Sequence, residues 1–402
     1  MAAMLSVAEA LARVLAGVVP TPAERVGLHQ AGGRVLAEDL VSLRTQPPFA
    51  ASAMDGYALI GAEAVAGARL RVVGESAAGH GFDGTVEPGT AVRIFTGAPV
   101  PAGADTVLIQ EDARRDGDWV VVESPVATGR NIRARGVDFA EGEVLLKAGT
   151  RLDFRTLSLA AAMNHATLPV HRKPRVAILA TGDELRAPGS VLGPDQIVAS
   201  NAYGVAEIVR ACGGEPIDHG IAADIEAEIA ARTVAAARDA DVLVTLGGAS
   251  VGDHDYVQQA LGSEGMELGF WKIAMRPGKP LIFGRLGSTR VLGLPGNPVS
   301  SLVCALLYLK PLLQALTGDA APPASEVTAR LGAAMKPNDQ RQDYVRARLD
   351  RAPDGGWIAT PHTSQDSSLL GILAGSGGLI VRPPGAPAAD AGEACRVVLM
   401  QG

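Results

Sequence analysis

The sequence predicts a multidomain chain of α/β and β structure: a central three-layer α/β domain with a mostly parallel sheet, a β-rich insertion domain, and a small C-terminal β-barrel-like domain. Three observations predict it. Between residues 174 and 322, strand-like apolar runs alternate with helical stretches, the βαβ pattern that builds parallel sheets. On both sides of that region, short Val-rich runs are separated by Gly, Pro and Asp turns. At 402 residues the chain also exceeds one hydrophobic core, and domains of roughly 100–200 residues each are expected.

The elements follow in order. The apolar opening from Ala2 to Pro20 is interrupted by Glu9 and Arg13 and lacks a basic region before it, so it reads as an amphipathic helix beginning near Ser6, not a signal peptide. Val26 to Leu40 is a short strand or helix leading into Pro47-Pro48. The runs Leu70–Val73, Ala91–Phe95, Thr106–Gln110 and Trp119–Glu123 are strands of the insertion. Residues 152–164 form an Ala- and Leu-rich helix that returns to the N-terminal segment, making the first domain discontinuous: 1–45 plus 147–173 around an insertion at 46–146. The α/β domain, 174–322, has a strand at Val176–Ala180, a helix from Ser200 to Cys212 with Ser200 as cap and Gly213-Gly214 as stop, a helix at Asp224–Arg238 and a buried strand at Asp241–Leu246. Strands at Lys272–Met275, Leu281–Phe283 and Val291–Leu294 precede a helix from Pro298 to Leu316 that Pro311 kinks, and Pro322-Pro323 marks the exit. The C-terminal β domain, 323–402, has runs at Tyr344–Leu349, Trp357–Thr360, Leu379–Val381 and Cys395–Met400.

Composition narrows the function. Lys and Arg total 36 against 43 Asp and Glu, a net charge of −7, so the basic excess of a phosphate-backbone binder is missing and no nucleic-acid partner is expected. Cys212, Cys304 and Cys395 are scattered and odd in number, which offers neither a disulfide framework nor a CxxC zinc site and suits a reducing cytoplasm. No segment after the opening approaches the roughly 18 uninterrupted apolar residues that span a membrane, and no membrane partner is expected. No Walker sequence is present and no GxGxxG fingerprint directly follows a strand, so ATP motors and nicotinamide enzymes are disfavoured.

Four stretches can carry chemistry. In TLGGASVGDHDY, 245–256, a Gly-rich turn follows the buried strand, and Gly247, Gly248 and Gly252 let backbone approach a ligand, with Ser250 between them; a tight turn with Asp253 or Asp255 as helix cap explains the same residues. In GLPGNPVSS, 293–301, Asn297 can cap and Pro298 suits the first helical position. That directs the amides of Val299, Ser300 and Ser301 at a phosphate, although a well-capped helix without ligand has the same sequence. In KIAMRPGKP, 272–280, Lys272 and Arg276 are four apart and share a face if the strand is extended, and Lys279 follows a Pro-Gly turn; the three cations suit a doubly charged oxyanion or plain solvated surface. Carboxylates in loops after strands, namely Asp183, Glu184, Asp224, Asp253 and Asp255, are hard oxygen ligands of the kind Mg²⁺ takes, or merely caps.

Taken together, PPFAASAMDGYAL (47–59), IFTGAPVPAGAD (94–105), ATGDEL (180–185), GGASVGDHDY (247–256), MRPGKP (275–280) and GLPGNPVSS (293–301) resemble the molybdopterin molybdenumtransferases, the MoeA proteins of bacteria, which are similar to the E domain of gephyrin. The motifs stand in the family's order and span nearly the whole chain. The resemblance implies the last step of molybdenum cofactor synthesis, in which adenylylated molybdopterin and molybdate give the metal-loaded cofactor and AMP with Mg²⁺. It implies a homodimer whose site lies between the α/β domain of one subunit and the β domain of the other, served by molybdopterin adenylyltransferase and other cofactor-synthesis proteins.

Carried over by position, the resemblance assigns catalytic roles to Asp55, Thr96, Asp138, Glu184, Asp224 and Asp255, with Glu184, Asp224 and Asp255 holding Mg²⁺. It assigns substrate binding to Lys272, Arg276, Pro295 and Pro298, together with the loop residues Gly247, Gly248, Ser250, Gly252, Lys279, Gly296, Asn297 and Ser300, and more loosely to Arg346 and Ser367. Two positions depart from the family pattern: Val137 stands where an acid is common beside Asp138, and Arg276 where some members have Lys. A molybdopterin-binding scaffold without turnover and a pterin adenylyltransferase are the competing functions.

Overall fold

Helix Val7–Leu15 forms because Ser6 and Glu9 cap it reciprocally: the Ser6 hydroxyl accepts the Glu9 N–H and the Glu9 carboxylate accepts the Ser6 N–H. Its apolar residues Ala10 and Val14 are buried in the core of the α/β layer. In the computed structural model, residues 4–248, 256–320 and 326–400 are described, with side-chain surroundings for all of these except 256–259.

The stretch Val26–Leu40 is not one element. Strand Ala23–Gly27 ends in it and helix Leu28–Ala31 follows, stopped at Gly32-Gly33, where Gly33 takes φ +72°. Helix Phe154–Ala162, capped by Asp153, packs Ala160 with Ala31, Leu36 and Leu40, and strand Thr167–His171 pairs antiparallel with Ala23–Gly27. All four Val-rich runs of the insertion are strands. They belong to a six-stranded sheet in the order Thr106–Ile109, Gly56–Leu59, Thr90–Ile94, Arg69–Ser76, Trp119–Val122, Ala113–Asp116.

The α/β region is three layers thick. Its sheet runs Glu215–Ala222, Arg175–Thr181, Val242–Leu246, Thr289–Leu294, Pro280–Leu286, Glu267–Lys272. The first four strands are mutually parallel; Pro280–Leu286 runs antiparallel to Thr289–Leu294, to which the two-residue turn Gly287-Ser288 connects it, and Glu267–Lys272 runs antiparallel to Pro280–Leu286. Helix Asn201–Ala211 and the helical run from Pro298 bury one face of the sheet, and helices Glu226–Ala237 and Tyr256–Ser263 bury the other.

Three local expectations need correction. Ser200 makes no side-chain capping bond and is itself αR, with φ −102° and ψ −26°, so its hydroxyl does not close the helix start. The strand expected at Lys272–Met275 is split: Glu267–Lys272 pairs within the α/β sheet, whereas Met275–Arg276 pairs with Gln342–Arg351 of the C-terminal sheet. The helix from Pro298 is not simply kinked at Pro311. It runs as α-helix over Pro298–Cys304, as π-helix over Ala305–Leu309 and as α-helix over Lys310–Thr317, the widened turn lying just before a proline that has no N–H to give to the preceding turn. By length and composition this 20-residue run is apolar enough to cross a membrane, but 61% of its apolar window is buried inside the protein, as for a core helix.

The C-terminal strands close into a five-stranded barrel: Gln342–Arg351, Trp357–Pro361, Glu326–Leu331, Ala394–Leu399, Gly378–Arg382, and back to Gln342–Arg351. Residues Pro322-Pro323, read as the exit from the α/β domain, lie outside the described residues.

Candidate functional site

A cavity of about 840 Å³ opens at the carboxyl ends of the parallel strands, where α/β sheets place ligands. It is lined by Thr181, Gly182 and Glu184 from the ATGDEL loop, Asp224, Gly247 and Gly248, and Pro295, Gly296, Asn297 and Pro298. The fold thus brings together eight of the residues singled out by sequence: Glu184, Asp224, Gly247, Gly248, Pro295, Gly296, Asn297 and Pro298. Ser250, Gly252 and Asp255, together with the alternative cap Asp253, lie outside the described residues.

The acidic wall is organised by backbone. Asp224 Oδ2 accepts the Asp183 N–H at 3.3 Å and Asp183 Oδ1 accepts the Asp224 N–H at 3.1 Å, which ties the ends of two adjacent strands together. The Glu184 carboxylate folds back over Gly182, at φ +150°, so a Cβ there, 2.4 Å from Glu184 Oε2, would displace the carboxylate. Gly247 is more tightly constrained, with φ +98° and the Thr181 backbone carbonyl oxygen 2.6 Å from where its Cβ would lie. Among the described residues, neither Glu184 nor Asp224 pairs with a Lys or Arg.

The GLPGNP loop differs from its expected form. Asn297 makes no capping bond; its Nδ2 donates to Ser367 Oγ at 3.1 Å. The Val299 N–H donates to the Ser367 carbonyl at 3.1 Å and the Ser301 N–H to the Asn297 carbonyl at 2.9 Å, so these amides are occupied by the protein. Ser300 is buried and does not line the cavity. Sequence reasoning missed Asn201, whose Nδ2 donates to the Gly296 carbonyl at 2.8 Å, and Ser368, which lines the cavity one residue past Ser367. The only signal for Asn201 was its place beside the presumed cap.

The predicted cation cluster does not form on one face. Lys272 lies over the Trp271 ring at 3.6 Å, and Arg276 donates to Asp339 at 3.4 Å and to Asp343 at closer range. The hydrogen bond to Asp343 holds the Arg276 pKa above its ordinary value. Lys272, Arg276 and Lys279 are not among the cavity-lining residues, because the strand ends at Lys272 and the chain turns into the barrel sheet before Arg276; Pro280 reaches the cavity instead.

On the β-rich side, Asp55 and Thr96 meet as a unit. Asp55 Oδ1 accepts both the Thr96 N–H and the Thr96 hydroxyl at 2.7 Å, and the backbone bond first, then the hydroxyl, hold its carboxyl below the usual carboxylate range. Asp138 is exposed. None of the three lines the cavity of its own chain.

In the barrel, Arg346 is fully buried, its Nε donating to Gln365 at 3.2 Å and its Nη1 to the Asp366 carbonyl at 2.7 Å, while Nη2 has no partner among the described residues. Burial lowers its pKa. Ser367 is the barrel residue that grips the cavity loop through Asn297 and Val299.

Residues 5–164 match the family described as the MoeA N-terminal region (domain I and II), residues 177–315 a probable molybdopterin binding domain, and residues 328–400 the MoeA C-terminal region (domain IV). The chain is 38% identical over 317 residues to a molybdopterin molybdenumtransferase of Haemophilus influenzae, covering 78% of each chain. It is 35% identical over 397 residues to one of Synechococcus elongatus, covering 95% of this chain and 96% of the other. Among solved structures, a molybdopterin biosynthesis MoeA protein from Pyrococcus horikoshii superposes with a TM-score of 0.87 at 30% identity and covers all of both chains.

Proposed function

The chain belongs to the molybdopterin molybdenumtransferase family, whose members are transferases of molybdenum cofactor biosynthesis, and from that premise we propose that its strand-end cavity converts adenylylated molybdopterin and molybdate to molybdenum cofactor and AMP, with Mg²⁺. The observation that carries the reading is a cavity of about 840 Å³ in which two carboxylates, without basic partners among the described residues, stand with a glycine-rich turn and the GLPGNP loop. That volume lies within the range of about 300–1,000 Å³ that small-molecule and cofactor sites occupy.

The donor set fits Mg²⁺. Among the described residues no three His, Cys, Asp or Glu side chains form a cage, and Mg²⁺ is commonly held by one or two carboxylates, with substrate phosphates and water completing the shell. Glu184 and Asp224 would hold it, with Asp255 as a third carboxylate. When bound, the ion neutralises charge on the pyrophosphate bridge and makes AMP a better leaving group.

The chain's own residues orient the substrates. Gly247 and Gly248 let backbone approach the ligand, and Asn201 and Ser367 brace the loop through Gly296 and Asn297. Arg346, buried in the barrel, holds Gln365 and the Asp366 carbonyl and so fixes the segment that carries Ser367 against that loop. The metal's sulfur ligands come from the pterin dithiolene, so no cysteine is required there. Purified protein mixed with adenylylated molybdopterin, molybdate and Mg²⁺ should release AMP, and absence of molybdate-stimulated release would overturn the reading.

The proposal extends to assembly and context. A homodimer with shared sites is supported by Asp55, Thr96 and Asp138 standing apart from the cavity of their own chain. Mixing inactive Asp55→Asn and Glu184→Gln proteins should restore activity as hybrid dimers form, because one site of each hybrid is intact. No recovery after subunit exchange would argue for sites made within one chain. A cytoplasmic location, near the adenylyltransferase that supplies the substrate, is supported by three free cysteines, two of them buried.

A further inference from the structure

We propose that Arg232, which touches neither the cavity nor its ligand, positions Asp224 by locking a one-residue β-bulge in the edge strand Glu215–Ala222. The inference rests on the metal role given above to Asp224. The strand pairs in register with Arg175–Thr181 up to Ile178 opposite Asp218, but the next pair is Ala180 opposite Ile221. One residue more is therefore used on the edge strand than on its partner, at His219-Gly220. Gly220 supplies the left-handed backbone this needs, φ +72°, and its N–H donates to Asp218 Oδ1 at 2.8 Å.

An edge strand leaves a row of carbonyls without sheet partners. Arg232, on the adjacent helix Glu226–Ala237, fills two of them: Nη2 donates to the His219 carbonyl and Nη1 to the Ile221 carbonyl, one on each side of Gly220. Glu228, one turn earlier, accepts from Arg232 Nη1 at 3.4 Å and from the Ala223 N–H at 3.3 Å. The helix thus grips the strand from the bulge to the residue before Asp224.

The consequence lies at the cavity. With the bulge in place Ala222 stands opposite Thr181, and its carbonyl accepts the Gly182 N–H at 3.2 Å. Asp224 then meets Asp183 in the reciprocal amide-to-carboxylate bonds already described. Without the extra residue the strand end would slip by about 3.3 Å and present its opposite face, carrying the Asp224 carboxylate away from Glu184. Arg232 is a positioning residue in this sense.

The test compares Arg232→Met, which keeps length but loses both bonds, with Arg232→Lys, Glu228→Gln and Asp224→Asn. Mn²⁺ binding is read by electron paramagnetic resonance without substrate, alongside Mg²⁺ activation of AMP release and thermal unfolding. Arg232→Met should weaken Mn²⁺ binding and raise half-saturating Mg²⁺ by roughly tenfold, the usual size for residues that orient ligands, with the rate at saturating Mg²⁺ within about twofold of wild type. Lys should recover part of the loss and Glu228→Gln should show a smaller shift in the same direction. A lower melting temperature with unchanged Mn²⁺ binding in Arg232→Met would overturn the proposal and leave the residue a stabiliser only. If Arg232→Met does not fold, Lys and Gln carry the same comparison, and unchanged metal binding in both overturns it. If Asp224→Asn itself leaves Mn²⁺ binding intact, the metal role of Asp224 fails first, which separates the two readings.

Discussion

The pairing of Asp55 with Thr96 shows how a motif residue is held ready for chemistry. Asp55 precedes Gly56, which admits no side chain because the Leu108 carbonyl oxygen lies 1.9 Å from where a Cβ would stand. Arg93 then packs over the Tyr57 and Phe95 rings at 5.2 and 4.7 Å and donates to the Gly56 carbonyl at 3.1 Å, joining the MDGYA and IFTGA segments. Because the folded pKa of Asp55 is depressed, its ionised form contributes stability above its unfolded pKa, near 3.9, and that contribution fades as pH falls through the lower folded value. A carboxyl-carbon titration by NMR should place Asp55 below 3.9, and Thr96→Val should move it upward. No movement would mean that the hydroxyl bond is absent in solution. Arg276, read from sequence as an oxyanion ligand, is held by Asp339 and Asp343. Arg276→Met should therefore cost about 1–2 kcal/mol in urea unfolding, a figure discounted for a guanidinium that is half exposed beside a nearly buried Asp343.

At the scale of elements, the turns of the motifs serve packing as much as ligands. Gly278 in RPGKP has φ +103°, and a Cβ there would stand 2.4 Å from the buried Cys304 sulfur. Gly278→Ala should destabilise by about 2–3 kcal/mol through strain and overpacking, measurable as a lower urea midpoint with unchanged slope. The central strands Arg175–Thr181, Val242–Leu246 and Thr289–Leu294 were legible as short apolar runs buried on both faces, whereas the edge strand Glu215–Ala222, largely half-exposed, carries no such run and was not expected. The break after Lys272 was not. A run such as KIAM satisfies either of two sheets, and only its neighbours, Pro280 on one side and Gln342 on the other, decide where one ends and the other begins. The Ser200 cap failed for a related reason: its backbone is already αR, so its side chain cannot reach the amides of the first turn.

At the scale of the molecule, the N-terminal helix is a clasp on the α/β layer. Arg290, buried, donates to the Val14 and Ala16 carbonyls at 3.3 and 3.1 Å, Arg285 donates to Ala16 at 2.9 Å, and Arg13 reaches back to the Gly269 carbonyl at 3.1 Å. Cations at a helix C-terminus satisfy carbonyls and oppose the helix dipole. Arg290→Met should lower stability by about 1–3 kcal/mol and raise hydrogen exchange in Val7–Leu15, whereas a stable helix in that variant would show that apolar burial of Ala10 and Val14 suffices.

By itself the sequence determined the βαβ order, the β character of both flanks and the residues that meet at the carboxyl ends of the strands, because periodicity and turn chemistry are local and Glu184, Asp224, Gly247 and Pro295 each lie within three residues of a strand end. Tertiary structure decided what no local pattern contains: that Arg276 faces two carboxylates, that Ser367 of the barrel grips the GLPGNP loop, and that a bulge held by Arg232 sets the register of Asp224. Each of these joins residues from 11 to 70 positions apart through side chains whose direction depends on sheet register and helix packing, and those quantities exist only once the layers have come together.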